Sequence, residues 1–289
     1  EPVRGLINEL QGKLIQYGVF FHQQLLGLRH EPACIAQALR DGRGYTDAWG
    51  KGTDATAWLT PPYPLFLAAC LKWCGGVNGG VAALVMLVQS VASALTAVLL
   101  VALGREVGSA RVGKLAGWLF ALYPIAVSNA VQLVWDTTFV ACFLTVVVIA
   151  LLRVRSAASA ARAGLAFGAL LMLNPAPLSL VPVAAVFTWR RARSRGLAAF
   201  LACAFAVCLP WLIRNEVKLG SFSLRPNFGV EMRIGNHDDA NGRPVPFKYH
   251  PSHVASELAL YRELGEVEYA SENMGRALAW ISDHPARFA

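Results

Sequence analysis

Charge is what this sequence has least of. Only 15% of its 289 residues are Asp, Glu, Lys or Arg, where a soluble domain of this size carries about 25%. Acid is scarcer still in the middle: between Arg111 and Arg214 the one carboxylate is Asp136. The short patterns that mark common chemistries are missing too. Six cysteines (Cys34, Cys70, Cys74, Cys142, Cys203, Cys208) include no CxxC pair, and three lie in apolar stretches, so core thiols are expected rather than disulfides or ligands. No HExxH or paired histidine spacing occurs, so His237 with Asp238 and Asp239, or the trio His250, His253 and His284, give no support to a metal site. No glycine-rich phosphate loop precedes a helix and no GxSxG elbow is present, which removes the P-loop and serine-hydrolase readings. No cofactor is expected; a divalent metal is conceivable but unsupported.

What is there is apolar surface. Hydrophobic residues make up 55% of the chain, and residues 81–103 run for 23 positions without a charge, enough to cross a hydrocarbon core of about 30 Å. The expectation is an all-α polytopic membrane protein. A net charge of +8 invites a nucleic-acid reading until it is located. Residues 1–75 hold seven basic and six acidic side chains, residues 214–289 nine and ten, and residues 76–213 ten and two. The excess sits in three clusters: Arg105, Arg111 and Lys114; Arg153, Arg155 and Arg162; Arg190, Arg191, Arg193 and Arg195. Cytoplasmic loops have this composition, and nucleic acid is not an expected partner.

Apolar runs between the clusters give spans at 81–103, 115–131, 137–152, about 156–174, 176–189 and 196–213. Proline disfavours helix at the residue before it and removes a donor, so "NPAP" at residues 174–177 predicts a hairpin that keeps its flanking arginine clusters on one side. Residues 104–114, 153–157 and 190–195 then face the cytoplasm, while 29–62 and everything after Arg214 lie outside. Four regions follow: 1–28, a weak first span or an interfacial helix; 29–75, a first external loop with amphipathic helices; 76–213, the bundle; and 214–289, an external segment helical over 252–281. About six to seven spans are expected, with two non-cytoplasmic polar blocks. The chain begins on Glu1 without an evident signal peptide and ends at "DHPARFA"; further spans are expected beyond it.

Candidate chemical groups collect in the outer blocks. Glu31 opens the amphipathic "EPACIAQALRDG", with Pro32 in the first turn and Gly42 closing it. It is either an ordinary first-turn acid or a general base; Asp41, Asp47 and Asp54 are the other carboxylates of that loop. Asp136, at the start of a span, is either a helix cap or a functional membrane-edge acid. Arg214, Lys218, Arg225 and Arg233 follow a membrane exit on the side where positive charge is unexpected. They either snorkel to headgroups or capture a lipid-linked phosphate, which guanidinium suits.

The segments "GTDATAWLTPPYPLFLAACLKWCG", "ALYPIAVSNAVQLVWDTTF", "LMLNPAPLSLVP", "PWLIRNEVKLGSFSLRPNFGVEMRIGNHDD" and "ALAWISDHPARF" together resemble bacterial membrane glycosyltransferases of the GT-C superfamily. Closest is the protein-mannosyltransferase and aminoarabinose-transferase-like group, family 39-like, over residues 29–289. The resemblance implies a polyprenyl-phosphate sugar donor, an inverting displacement and an acidic base in the first external loop. The pattern E-x-x-x-I-A-x-x-L-x-x-G-x-G falls on Glu31, Ile35, Ala36, Leu39, Gly42 and Gly44. Many relatives place an Asp a few residues earlier, where this chain has Leu28 and Arg29. PW-x-x-RN falls on Pro210, Trp211, Arg214 and Asn215, and N-x-G…GN on Asn227, Gly229, Gly235 and Asn236.

The expected function is therefore transfer of a sugar from a polyprenyl phosphate to a lipid, glycan or protein acceptor at the outer face of the bacterial cytoplasmic membrane. Glu31 would be the base, Arg214, Arg225, Lys218 and Arg233 would hold the donor phosphate, and Asp54, Asn215, Asn227 and Asn236 would line the substrate site. Membrane lipids are the other expected partners. The alternatives are a lipid or solute transporter or flippase, and a non-catalytic assembly subunit of the same fold. Transporters place charged or broken helices at the midplane, whereas these spans are nearly free of charge.

Overall fold

The computed structural model describes residues 30–240 and 248–288. The expectation for residues 1–28 lies outside the described residues. In chain order the helices are α1 (Glu31–Arg40), α2 (Pro62–Trp73), α3 (Gly79–Val107), α4 (Ala110–Ala121), α5 (Pro124–Gln132), α6 (Thr137–Leu152), α7 (Ala157–Leu173), a 3-10 turn (Ala176–Leu180), α8 (Val181–Leu219), α9 (Phe228–Gly235), α10 (Ala255–Leu264), α11 (Glu266–Asp283) and α12 (Pro285–Phe288). Among the described residues no strand forms, and one isolated antiparallel bridge joins Thr46 to Ala55. The chain divides into two compact units, one of residues 61–210, the other of 30–60 with 211–288.

The first unit is built on close helix approach. Asn78 caps α3 by accepting the N–H groups of Gly80 and Val81. The α3–α4 hairpin then closes on glycines: a Cβ on Gly104 would lie 2.2 Å from the Gly113 backbone, and one on Gly117 would lie 2.8 Å from the Ala97 oxygen. Small residues at such positions let helix backbones touch where there is no water to drive association. Large apolar side chains such as Leu87, Val98, Trp118 and Val183 are exposed, the reverse of a soluble core.

Two helical runs, α3 and Ala176–Leu219, are long and apolar enough to cross a membrane, and α4 with α5 makes a third if that pair is one span bent by 49°. The expected single helix over 115–131 is thus broken. Tyr123, preceding Pro124, is forced to an extended ψ of 115°. Helices α6 and α7 have 16 and 17 residues, about 24–26 Å of rise, less than the hydrocarbon thickness of about 30 Å.

The break expected at residues 174–177 is present. α7 ends at Leu173, and Asn174 (ψ 129°) turns the chain before Pro175, accepting the Ala176 N–H on its own side chain. Arg191 then donates to the Leu152 oxygen at 2.7 Å, so the chain has returned to the end where α7 began. A second turn sits inside α8 at Arg193 (φ 57°, ψ −164°). Beyond it the chain runs parallel to α7: added Cβ atoms on Gly164 and Gly168 would meet the oxygens of Phe200 and Ala204. Arg153 also pairs with Glu106 at 2.6 Å. The ends of α3, α6 and the first half of α8, each carrying one basic cluster, therefore lie at one end of this unit.

The buried Gln89 and Asp136 side chains here are partnered, whereas the buried Thr138 and Thr188 hydroxyls make no hydrogen bond among the described residues. Gln89, fully buried, accepts from the Tyr63 hydroxyl (2.7 Å) and donates to the oxygens of Ala130 and Leu133 (2.9 Å each). Asp136 precedes α6 but its side chain does not cap that helix; it accepts from Asn174 at 3.2 Å.

The second unit packs α1, the 41–60 loop and the helices after Trp211 around Trp49, Trp58, Tyr261, Tyr269 and Ile35, all fully or nearly fully buried. The rings of Trp49, Trp58 and Tyr261 meet edge to face, 4.7–6.3 Å apart. The predicted continuous helix over 252–281 is two: Gly265, at φ 79°, ends α10 and starts α11, a conformation only glycine adopts without strain. α9 lies on α11 through Gly229, where a Cβ would come within 2.0 Å of the Ala270 oxygen.

Candidate functional site

Helix α1 takes the predicted bounds because its signals agree. Pro32 fixes the first turn, Arg40 complements the last, and Gly42 leaves at φ 76°. That helix carries Glu31 into the interior of the second unit at 9% exposure. Burial pushes its carboxyl from the ordinary 4.5 up to about 7; its own backbone N–H and the Arg225 charge act downward, and the Glu231 charge acts upward. Asn227, which donates to Glu231 at 3.4 Å, belongs to the same neighbourhood.

His250 faces Glu31, with Nε2 3.8 Å from Oε1. Its ring meets Trp49 and Trp58 edge-on, and burial, aided by the His253 charge, pushes the imidazole down to about 4. Contact distance alone would suggest an ion pair. Burial favours the uncharged form of both groups, however, so near pH 6 a neutral acid meets a neutral imidazole. The Nδ1 atom accepts the Ser252 N–H, leaving the ring proton on Nε2, the side of Glu31.

The other first-loop acids have structural duties. Asp47 holds a left-handed φ of 65°, accepts the Gly52 N–H on Oδ1 and pairs with Arg43 on Oδ2. Exposed Asp41 pairs with Arg40 and Arg43, whose hydrogen bonds pull its carboxyl down. Asp54, also left-handed (φ 57°), lines an open cleft of about 600 Å³ with Lys218, Arg262 and Glu268.

The four predicted cations fall in different settings. Arg214 donates through Nη1 to the Thr56 oxygen (2.6 Å) and Asn215 Oδ1 (3.0 Å), and through Nη2 to the Tyr45 oxygen (2.9 Å). It also stacks on Trp211 and Tyr45. Buried Asn215 donates onward to the Ser223 oxygen. Together these two clamp the 45–56 loop. Arg225 uses only Nε, bonded to the Trp58 oxygen at 2.6 Å; its two Nη groups make no hydrogen bond among the described residues. Lys218, exposed on the last turn of α8 rather than in a loop, faces the cleft. Arg233 packs over the Tyr249 ring, and Asn236 caps α9 by donating to the Met232 oxygen. Glu31, Arg225 and Asn227 come together; the remaining predicted residues do not join them.

Two residues that the sequence did not single out shape the unit. Glu266, 4% exposed, accepts from the Thr56 hydroxyl, the Ala57 N–H and the Tyr261 hydroxyl. Burial raises its carboxyl against those three bonds, and with every donor aimed at it, it is committed to holding the loop. Glu231 is the other, through its charge on Glu31. Among the described residues no group of three or more His, Cys, Asp or Glu is placed to hold a metal ion. Comparison with known protein families, with curated proteins and with solved structures finds no match.

Proposed function

We propose that this chain is a GT-C-type glycosyltransferase of the bacterial cytoplasmic membrane, inverting, with Glu31 as general base and a polyprenyl-phosphate sugar as donor. The observation that carries the proposal is a buried Glu31 carboxyl, raised to about 7, that lies within the electrostatic reach of Arg225, a guanidinium whose Nη groups make no hydrogen bond among the described residues. A base works best with a pKa near the operating pH, and a bidentate guanidinium face suits a phosphate. In the reaction the acceptor hydroxyl or amine attacks the anomeric carbon and passes its proton to Glu31. The bond from that carbon to the phosphate oxygen breaks on the opposite face, and the polyprenyl phosphate leaves with its new charge stabilised by Arg225. Arg214 and Asn215 support this site by holding the loop.

The finer topology belongs to the same proposal: six crossings over residues 79–213, the basic clusters cytoplasmic, and the Glu31 unit outside. The shared end of the three clusters, tied by Glu106–Arg153 and Arg191–Leu152, supports it. The transporter reading draws less support, because Gln89 and Asp136 bond to protein groups of their own unit.

The test is transfer of label from radiolabelled sugar–polyprenyl phosphates to membrane extract by the full chain. Glu31→Gln should lower turnover by about 10²–10⁴-fold with donor affinity nearly intact. Wild-type protein that transfers no label from any such donor, or Glu31→Gln that transfers normally, overturns the proposal.

A further inference from the structure

At its basic end the helical unit contains a groove of about 370 Å³ bordered by α3, α6 and α7. Leu99, Val146, Ile149 and Ala150 supply its apolar part, and Arg153 and Arg162 its charged part. Their order along the helices makes the groove graded. Leu99 lies about two turns before the end of α3, Arg153 is the residue at which α6 stops, and Arg162 lies about 9 Å along α7 from the Ser156 cap.

Arg162 is the anomaly. It is exposed and has no hydrogen bond, ion pair or ring contact among the described residues, although its helix continues as "AGLAFGALLML". In a bilayer that position falls at the boundary between headgroups and acyl chains, where an unpaired guanidinium is costly. Arg153 is only partly neutralised, since it shares Glu106 and remains 60% exposed, and Arg155 adds a further charge close by. The groove therefore pairs a net positive mouth with an apolar slot, complementary to one class of molecule that a bilayer supplies at that depth.

We propose that this groove binds an anionic phospholipid from the leaflet facing the basic clusters. Its phosphodiester would sit between Arg162 and Arg153, and an acyl chain would lie along Leu99, Val146 and Ile149. Basic pockets between membrane helices recognise anionic headgroups in this way. A soluble phosphate would leave the apolar slot unused, and a zwitterionic lipid would bring its own cation to the mouth. The inference is independent of the proposed transferase activity.

The experiment is native mass spectrometry of the full detergent-solubilised chain, titrated with phosphatidylglycerol or phosphatidylcholine of identical acyl chains. Wild type should retain phosphatidylglycerol about tenfold more strongly, and Arg162→Gln should remove about tenfold of that affinity. Arg190→Gln, which takes an equal charge from α8, should leave it unchanged. Leu99→Trp, which fills the slot and leaves the arginines intact, should also release the lipid, so the test does not rest on one variant's folding. Equal retention of both lipids, equal loss with Arg190→Gln, unchanged retention with Leu99→Trp, or displacement by inorganic phosphate alone would each overturn the proposal.

Discussion

Replacing Glu31 with Gln should stabilise this protein, and only at high pH. The carboxyl titrates near 4.5 in an unfolded chain and near 7 in the folded one. Between those values the native state holds a proton that the unfolded state has released, so stability falls as pH climbs through the window and levels off above 7. The gap corresponds to about 3 kcal/mol. His250 works in the opposite direction: its folded value of about 4 lies below the ordinary 6.5, so its contribution is present above 6.5 and lost as pH falls. From 4.5 to 6.5 the slopes of these two groups offset each other; above 6.5 the Glu31 contribution is no longer opposed by His250. Gln keeps the shape of the neutral acid and cannot ionise. The two proteins should melt together at pH 4.5, and the variant should melt about 6 °C higher at pH 8, taking about 2 °C per kcal/mol for a chain of this length. Tryptophan emission suits the assay, since Trp49 and Trp58 both lie against His250. Equal melting at pH 8, or an offset that is the same at pH 4.5 and pH 8, would refute the assignment of Glu31 as a buried, reluctantly ionised acid.

Other expectations follow from the same contacts. Arg214→Ala should lower the melting temperature because it removes three hydrogen bonds from one guanidinium, about 1.5–3 kcal/mol for each bond to a charged group. Arg225→Ala should weaken donor binding about tenfold or more in an equilibrium binding assay, and should lower the melting temperature less than Arg214→Ala does, since it loses one such bond rather than three. Gly229→Ala should destabilise by about 1–3 kcal/mol or more, since its methyl has only 2.0 Å to the Ala270 oxygen; an unaltered denaturation curve would contradict that packing. For topology, Cys placed at Ser194 and at Glu263 should differ in labelling by an impermeant reagent on intact cells, and equal labelling would sink the assignment of sides.

Where a local signal decides a local conformation, the sequence was sufficient. Helix α1 and the break at Asn174 were legible because proline and glycine act on the backbone at their own positions. The break between α4 and α5 was marked by Tyr123-Pro124, but apolar residues continue on both sides and hide it in a hydropathy reading. Gly265 sits in "ELGEVE" with nothing beside it to distinguish a helix end from a helical glycine. The candidate site was harder. Glu31 could be placed on a helix but not in an interior, because burial depends on Trp49, Trp58 and His250. Glu266 carried no signal of its own in the sequence, because its partners at Thr56 and Ala57 are 210 and 209 positions away. Arg214 read as a free cation for the same reason: the carbonyls it holds belong to Thr56 and Tyr45, far upstream.

That long separation has a consequence for biosynthesis. Residues 30–60 emerge from the ribosome early, yet the groups that hold them, Arg214, Arg225, Tyr261 and Glu266, are made only after the whole helical unit. Until His250 and Tyr261 arrive, Trp49 and Trp58 lack those rings to pack against, and until Glu266 arrives the Thr56 hydroxyl lacks its acceptor. The early segment therefore waits unfolded while roughly 150 residues of helix are inserted. A nascent chain arrested before Trp211 should expose residues 30–60 to protease, whereas one extended through α11 should protect them.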